Sequence, residues 1–423
     1  MTASDKNTVN DTSKDTTSMQ HHGIRRRSLL LTGGALAAPW VARAQGGRDA
    51  VKVSIGRIPW SAYNSPMTQY MIENKLLEAR AAELGLNLTV DWRDYPTALP
   101  MVEAIVGNNL DMGMWGNTPI IRAIAAKLPI SLMVVGEGHL RLVLATREGS
   151  PVRTIQDLPG KTVGALLGGD PYNALTQMMR WELGSANPRD HGIKIVNIPT
   201  LAQAAQVPAG LDAAIAVYPA YLAAQSTGTV GIMNSFGTTE DYYKGPLGEG
   251  GGLVLPSVKK SPFYPDGYYL HRSFWIANNG MLDRNPKVAL AFLMAQQDSV
   301  GALVKKDAGA VSQLVKEFWK LEPAAGAKVV NDDVLEKRGW IWPTEADARA
   351  VLETSKYLVE SKMIPAPLAW SQVKEAFRRT APIVKEAYER LGSQPGDSEF
   401  TRTDVGDLRG RPVWEIDRWA EVT

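Results

Sequence analysis

Gly107-Asn108-Asn109-Leu110-Asp111-Met112-Gly113-Met114-Trp115-Gly116-Asn117-Thr118-Pro119 is the stretch on which the fold turns. A helical pattern over 97–106 stops at the Gly-Asn-Asn turn, an apolar strand follows over 111–115, and Thr118-Pro119 opens the next helix. Proline suits the first helical turn because the N–H it lacks would have no intrahelical partner there. Threonine before it is a good N-cap. A fainter copy comes later: Gly210-Leu211-Asp212, an apolar strand over 212–217, then Tyr218-Pro219. The repetition predicts two similar halves, each with a Leu-Asp turn, a strand and a proline-started helix. Coincidence among ordinary α/β loops is the competing explanation.

Outward from these segments the alternation continues. Strands are predicted over 51–55, 86–92, 131–135, 162–166 and 194–198, and a helix over 67–80. Strands separated by helices imply parallel sheets in an α/β fold. Two further junctions, Ser65-Pro66 and Asp170-Pro171, join strand to helix in the same way, with Ser and Asp as expected N-caps. In a parallel sheet all four junctions lie at the carboxyl ends of the strands, the edge at which open α/β sheets bind ligands. Two sheets facing each other across those edges would enclose a cleft with helix N-termini on both walls. Residues 286–391 read as helical with loops around Pro323 and Pro365, and 393–423 as polar and irregular. Trp414 and Trp419 suggest that this tail docks.

The 423 residues, 44% hydrophobic and 21% charged, have a globular composition that excludes disordered and collagen-like chains. Lack of cysteine excludes disulfides, thiolate nucleophiles, cysteine-ligated zinc and iron–sulfur clusters. The net charge of +2 comes from the first 44 residues; the rest carries 40 Lys/Arg against 41 Asp/Glu. No strong field for nucleic acid or an anionic membrane survives. Those first 44 residues read as an export signal. Arg25-Arg26-Arg27-Ser28-Leu29-Leu30 leads a 14-residue apolar run to Ala42, too short to cross a bilayer comfortably. Ala42-Arg43-Ala44 sets cleavage before Gln45. The paired arginines resemble a twin-arginine signal; an amphipathic or anchoring N-terminal helix is the alternative. The mature protein is expected to be soluble in a periplasm, without a lipid anchor.

In order and spacing, three segments resemble the periplasmic solute-binding proteins of nitrate, taurine and alkanesulfonate ABC importers. Residues 107–113 are similar to that family's Gly, Leu/Ile-Asp, apolar, Gly segment in lobe one. Ile155-Gln156-Asp157-Leu158-Pro159-Gly160-Lys161-Thr162-Val163 is similar to the Asp-Leu-Lys-Gly-Lys segment that introduces lobe two, with Pro159 replacing a lysine. Gly210-Leu211-Asp212-Ala213 followed by Tyr218-Pro219 resembles a later Gly, Ile-Asp-Ala, strand, Pro segment. The resemblance covers roughly 50–391; the chain exceeds the family's usual size, and 393–423 has no recognised counterpart. It implies an α/β, two-lobe periplasmic-binding-protein fold (type II-like), with parallel-rich sheets flanked by helices. A ligand cleft between the lobes and hinge closure on two crossover strands are also implied. The expected divisions are the signal 1–44, lobe one 50–140, lobe two 141–255, lobe-one return and C-terminal helices 256–391, and tail 392–423.

The same resemblance implies a small-molecule ligand that is anionic or zwitterionic, sulfonate- or carboxylate-like, with an aromatic body as one option. The implied partner is an inner-membrane ABC permease; the chain is expected to be a monomer without cofactor, metal or nucleic acid. Two other uses of the scaffold stand beside import. Desulfinases of aromatic sulfinates and thiamine-pyrimidine synthases resemble this family, but their recognised motifs use cysteine. A sensor partner presenting ligand to a membrane receptor would use the same cleft.

Other motifs carry less. Pro159-Gly160-Lys161-Thr162 imitates the end of a phosphate-binding loop, but Ile155 stands at the required glycine and a strand follows. Gly248-Glu249-Gly250-Gly251-Gly252 fails as a dinucleotide fingerprint because Leu253 holds the third glycine position; it reads as a flexible connection. His139, His191 and His271 lie 52 and 80 residues apart, with no metal-ligand spacing. His191 reads as solvated. No Gly-x-Ser-x-Gly elbow occurs, and Asp332-Asp333 reads as a solvated helix face, so no catalytic residue is predicted.

The candidate binding residues cluster at the junctions. They are Arg57, Trp60, Tyr63, Asn64 and Ser65 at the first, and Trp115, Asn117 and Thr118 at the second. Glu137 and His139 end a lobe-one strand; Gly169, Asp170, Tyr172 and Asn173 form the third junction, and Tyr218 the fourth. Aromatic rings there stack on flat ligands or cage cations; core packing is the alternative for any one of them. Helix N-termini favour an anionic oxygen group, and Arg57 would add a bidentate partner. Asp170 and Glu137 oppose that charge, unless Asp170 caps its own helix, which is the preferred reading.

Overall fold

Buried Val53 and Ile55 anchor β1 (Asp49–Arg57), longer at both ends than predicted. A computed structural model describes residues 49–59, 64–137, 141–234, 272–333, 339, 341–394 and 411–422. The helix expected over 67–80 is two, α1 (Ser65–Glu73) and α2 (Leu76–Glu83). Asn74 breaks it: its side-chain amide donates back to the Tyr70 carbonyl at 2.9 Å, and Lys75 takes a left-handed φ of 51°. β2 (Leu86–Asp94), α3 (Ala98–Val106), β3 (Met112–Trp115), α4 (Asn117–Ala125) and β4 (Ile130–Glu137) follow.

The chain then builds a second sheet. Its elements are β5 (Leu142–Arg147), β6 (Thr162–Ala165), α5 (Asp170–Glu182), β7 (Lys194–Asn197), α6 (Leu201–Ala205), β8 (Ala213–Val217), α7 (Tyr218–Gln225) and β9 (Thr229–Asn234). β10 (Ser273–Asn278) returns to the first sheet. The spatial orders are β2-β1-β3-β10-β4 and β7-β6-β8-β5-β9. In each, the first three strands are parallel and the fourth runs antiparallel to both neighbours. The sheets are therefore mixed, and β10 holds in lobe one the place that β5 holds in lobe two.

β5, β9 and β10 were not predicted. Apart from Arg147 they are buried along their whole length, so they show no apolar–polar alternation. β5 also follows β4 with no helix between them, outside the strand–helix rhythm.

The repeated Leu-Asp turn has one structural job in both lobes. The Asp111 carboxylate accepts from the Ser54 backbone N–H at 2.9 Å, and its own N–H donates to the Ser54 carbonyl at 3.0 Å. Asp212 does the same to Thr162, at 2.8 and 2.9 Å. Each aspartate staples the third strand of its sheet order to the second, β3 to β1 and β8 to β6.

Helices α8 (Asn279–Arg284), α9 (Pro286–Leu303), α10 (Ala308–Gln313), α11 (Lys316–Trp319) and α12 (Pro323–Asp333) come next. Pro323, expected in a loop, begins α12, where proline is tolerated. α13 (Glu345–Glu360), α14 (Trp370–Arg378) and α15 (Ala381–Leu391) end the helical run. α13 touches both lobes: Thr354 accepts from Asn117 at 3.1 Å, and Glu360 pairs with Arg180 at 3.0 Å. A buried ion pair joins Asp347 of α13 to Arg272, just before β10. Residues 411–422 dock on these helices. Val413 donates to the Pro343 carbonyl at 2.9 Å, and Trp419, almost wholly buried, lies 5.8 Å from Trp370 and 6.0 Å from Phe377. No helix among the described residues is long and apolar enough to cross a membrane.

Candidate functional site

α4 and α5, which start at the carboxyl ends of β3 and β6, meet N-terminus to N-terminus between the sheets. The expected caps Thr118 and Asp170 are not caps: Gly116 and Gly169 hold those positions, and neither helix has a side-chain cap bond. Ser65 is likewise inside α1, with Asn64 at the cap. The reason is that these side chains are engaged elsewhere. Ser65 donates its hydroxyl to the Ile58 carbonyl at 3.1 Å. Thr118 accepts at its hydroxyl from Asn173 at 3.1 Å. Asp170 accepts at Oδ1 from the Thr118 backbone N–H at 2.9 Å, so its carboxylate serves the helix of the opposite lobe.

That placement follows from electrostatics and space. The first N–H groups of a helix carry a partial positive charge that attracts a carboxylate. Gly116 provides the room, since a Cβ built there would lie 1.7 Å from Asp170 Oδ2. Its φ of −70° is open to any residue, so the requirement is the close approach and not the backbone conformation. Two further bonds brace the contact. Arg122 of α4 donates to the Gly168 carbonyl at 3.3 Å, and Gln177, one turn along α5, donates to Asn173 at 3.2 Å. Thr118, Asn173 and Gln177 are fully buried.

Beside this contact lies a partly open cleft, whose empty space of about 590 Å³ includes the solvent at its mouth. Leu99, Met114, Leu166, Leu201 and Val217 give it apolar walls drawn from both lobes, with Thr97 and Asp170 as its polar side chains. A second, narrower pocket sits under α1 in lobe one, lined by Arg57, Asn64, Ser65, Trp275 and Phe318 among others. Arg57 is already engaged there: it pairs with Asp94 at 2.6 Å, donates to Gln69 at 2.7 Å and lies 5.5 Å over the Phe318 ring. Asn64 accepts from Gln296 at 2.7 Å, while its buried Nδ2 and the indole N–H of Trp275 find no partner among the described residues.

The predicted residues thus fall into separate groups. Thr118, Gly169, Asp170 and Asn173 come together at the interlobe contact, and Arg57, Asn64 and Ser65 at the smaller pocket. Trp115 has no exposure and belongs to the lobe-one core. Asn117 is fully buried against α13. Tyr172 is half-buried against the core, and burial pushes its phenol above the ordinary value, with Arg189 a smaller opposing influence. Tyr218 is buried in lobe two beneath the guanidinium of Arg141, 5.5 Å from its ring. Trp60, Tyr63 and His139 lie outside the described residues, as does the side chain of Glu137, whose backbone pairs with Ser273 at the end of β4. His191, read as solvated, instead bonds the Ser185 carbonyl at 3.0 Å.

Gly116, Gly168, Arg122 and Arg141 escaped the sequence reading. Glycines two or three residues ahead of a Thr-Pro or Asp-Pro junction were the available signal for the first two, because a missing Cβ is what lets another group approach a helix start. Nothing in the sequence marked the arginines. Among the described residues no group of three or more His, Cys, Asp or Glu could hold a metal ion.

Two mixed sheets of one order, with a cavity at their facing edges, define a two-lobed α/β protein built around a cleft. The sequence model of the family described as "NMT1/THI5 like" matches residues 83–310, more than half of the chain, and the protein belongs to that family. It is 24% identical over 277 residues to a "Putative aliphatic sulfonates-binding protein" of Escherichia coli (strain K12), spanning 62% of this chain and 74% of that one. The fold is similar to that of the alkanesulfonate-binding protein SsuA from Xanthomonas axonopodis pv. citri bound to MOPS. There the TM-score is 0.57 at 17% identity, covering 78% of this chain and 98% of SsuA. It is also similar to the desulfurization enzyme DSZB, with a TM-score of 0.52 at 16% identity over 82% of this chain and all of that one. The architecture is the periplasmic-binding-protein fold, and the fold alone is shared by binders and enzymes.

Proposed function

We propose that this protein is the solute-binding component of an ABC-type importer: it holds one small organic solute between its lobes and passes it to an inner-membrane permease. The observation that carries the reading is the apolar cavity at the facing strand ends of two sheets, where helix N-termini from both lobes converge. The relative described as sulfonate-binding supports the same role. Export through residues 1–44 to a periplasm, and closure of the lobes about the crossovers, belong to this proposal. The solute's body lies against Leu99, Met114, Leu166, Leu201 and Val217. A zwitterion, or a sulfonate or carboxylate with a sizeable apolar part, suits those walls better than nitrate, which brings no apolar surface to bury.

The chemistry of enzymes on this scaffold rests on cysteine in the motifs recognised for them, and this chain has none. Binding without chemical change is therefore the reading put forward. A thermal-shift panel of alkanesulfonates, taurine, aromatic carboxylates, amino acids and nitrate tests it. A true solute at 100 times its dissociation constant adds about 2.7 kcal/mol to the folded state, a shift of several degrees. One chemical class shifting the transition is the expected result. No shift across the panel, from protein freed of any co-purified ligand by unfolding and refolding, would count against the reading.

A further inference from the structure

Two buried donors are left over in the narrow pocket of lobe one. Asn64 and Trp275 line it, each 1% exposed, and neither Asn64 Nδ2 nor the Trp275 indole N–H has a hydrogen-bond partner among the described residues. A donor buried without an acceptor is costly, and folded proteins keep few of them. We propose that this pocket is a side seat of the cleft for one planar carbonyl oxygen of the solute, from a carboxylate or a carboxamide, which accepts from Asn64 and Trp275. The inference deepens the solute-binding reading and rests on it. The solute's oxygen-bearing end points into lobe one beneath α1, and its apolar body lies along the cleft.

Position, rigidity and size support the assignment. Ile58 and Met114 line both the pocket and the cleft, so the two spaces adjoin and a solute in one can reach the other. Both donors are held in place before anything binds. Asn64 Oδ1 accepts from Gln296 at 2.7 Å, which orients the amide and leaves its nitrogen as the unspent end. The Trp275 ring meets Phe292 edge-on at 4.7 Å. Donors fixed in advance cost little ordering when an acceptor arrives. Arg57 and Gln69, on the same wall, are already bound to each other and to Asp94 and Glu73. The room left is little more than that of one water-sized group, between the apolar faces of Pro59, Val315 and Phe318. A flat carbonyl end can put one oxygen there. A tetrahedral sulfonate brings three oxygens on a bulkier head, and two leftover donors do not satisfy them.

Acetate, acetamide and methanesulfonate, one methyl group with three different ends, are the probes, titrated into the full chain and read from the indole N–H resonances. The Trp275 signal should move and saturate with acetate, acetamide or both, and stay still with methanesulfonate. The tighter of the first two tells whether the seated oxygen is charged. Trp115 and Trp370 are the controls: their indole N–H groups are also buried and unpartnered among the described residues, but they line neither the pocket nor the cleft. Trp275→Phe keeps a ring and removes the donor, so it should weaken probe binding about tenfold, read from the Asn64 side-chain amide. A Trp275 signal silent to every probe, as a permanently held water would leave it, overturns the proposal. So does methanesulfonate moving Trp275 as readily as the others, or all three indoles moving alike. If Trp275→Phe does not fold, Asn64→Ala takes its place with the Trp275 indole as reporter, and unchanged probe affinity in the folded variant overturns the proposal. The probes test the seat and the solute panel tests the role, so the two fail separately: a sulfonate selected by the panel would leave the importer reading standing and the seat refuted.

Discussion

In lobe one, β1 leads into α1 through Asn64 and Ser65, and Ser65 gives its hydroxyl to Ile58 in its own loop. In lobe two, β6 leads into α5 through Gly169 and Asp170, and Asp170 gives its carboxylate to lobe one. The two positions are equivalent in sheets of identical order. One side chain closes a loop locally; the other spans the cleft. Duplicated scaffolding thus fixes where a junction lies, while the single residue placed there decides whether it stabilises its own lobe or acts on the other. A second asymmetry follows the chain's course. The C-terminal helices and the tail add to lobe one, through the Asp347–Arg272 pair and the docked Trp419, whereas α13 meets lobe two at the Arg180–Glu360 pair on the surface.

The largest expected effect breaks that second asymmetry. Asp347→Ala removes one partner of a buried ion pair and the carboxylate that accepts from the Thr344 N–H at 2.8 Å. A loss of about 3–5 kcal/mol is expected in urea unfolding. Hydrogen exchange should accelerate first in β10 and β4, and equal acceleration in β6 and β8 would show that the lobes do not differ in this way.

Gly116→Ala addresses the first asymmetry. The new methyl cannot coexist with the Asp170 carboxylate, so the charge-assisted bond to Thr118 is lost at a cost of about 1.5–3 kcal/mol. α7, the lobe-two counterpart of α4, already carries Val217 at the same place. An alanine variant as stable as wild type in equilibrium unfolding would mean that the carboxylate does not need the space.

Next in size is a matched pair. Asp111→Ala and Asp212→Ala each strip the acceptor from a strand N–H, of Ser54 and Thr162 respectively, for about 1–3 kcal/mol. Similar losses would support the shared staple. A cost at one site and none at the other would confine the device to one lobe.

The smallest effect is acidic. The backbone N–H groups of Arg153 and Thr154 hold the Asp157 carboxyl below the usual carboxylate range. Its stabilisation is complete above the unfolded value of about 3.9 and is lost as pH falls through the lower folded value. Asp157→Asn should therefore flatten the acid limb of the stability profile on the lobe-two side. An unchanged slope in unfolding midpoints taken from neutral pH downward would contradict this.

The fold was legible where local pattern and tertiary role agreed. The strands over 51–55 and 86–92 were found by alternation, 111–115 as an apolar run set between a Gly-Asn-Asn turn and a proline junction, and the four junctions by helix-start chemistry written in neighbouring residues. β5, β9 and β10 were not, since a strand buried on both faces loses its period and none of these three leads into one of the four proline junctions that marked β3 and β8. The site was legible to the same limit. Asp170 was marked as a junction residue, but a preference for capping its own helix put the carboxylate on the wrong one. Only the fold brings Gly116 beneath it. Trp115 and Tyr218 lie at the right junctions and are buried, because a residue ending a strand still faces the core if its side of the sheet does.

The proposed role requires that the cleft take one solute and release it unaltered. Native mass spectrometry of the protein from Gln45 onward, incubated with each solute of the panel, tests this most directly. A single added mass is expected for one chemical class, one solute per chain, recovered with the same mass after denaturation. A product of different mass, or no retained solute across the panel, would contradict it.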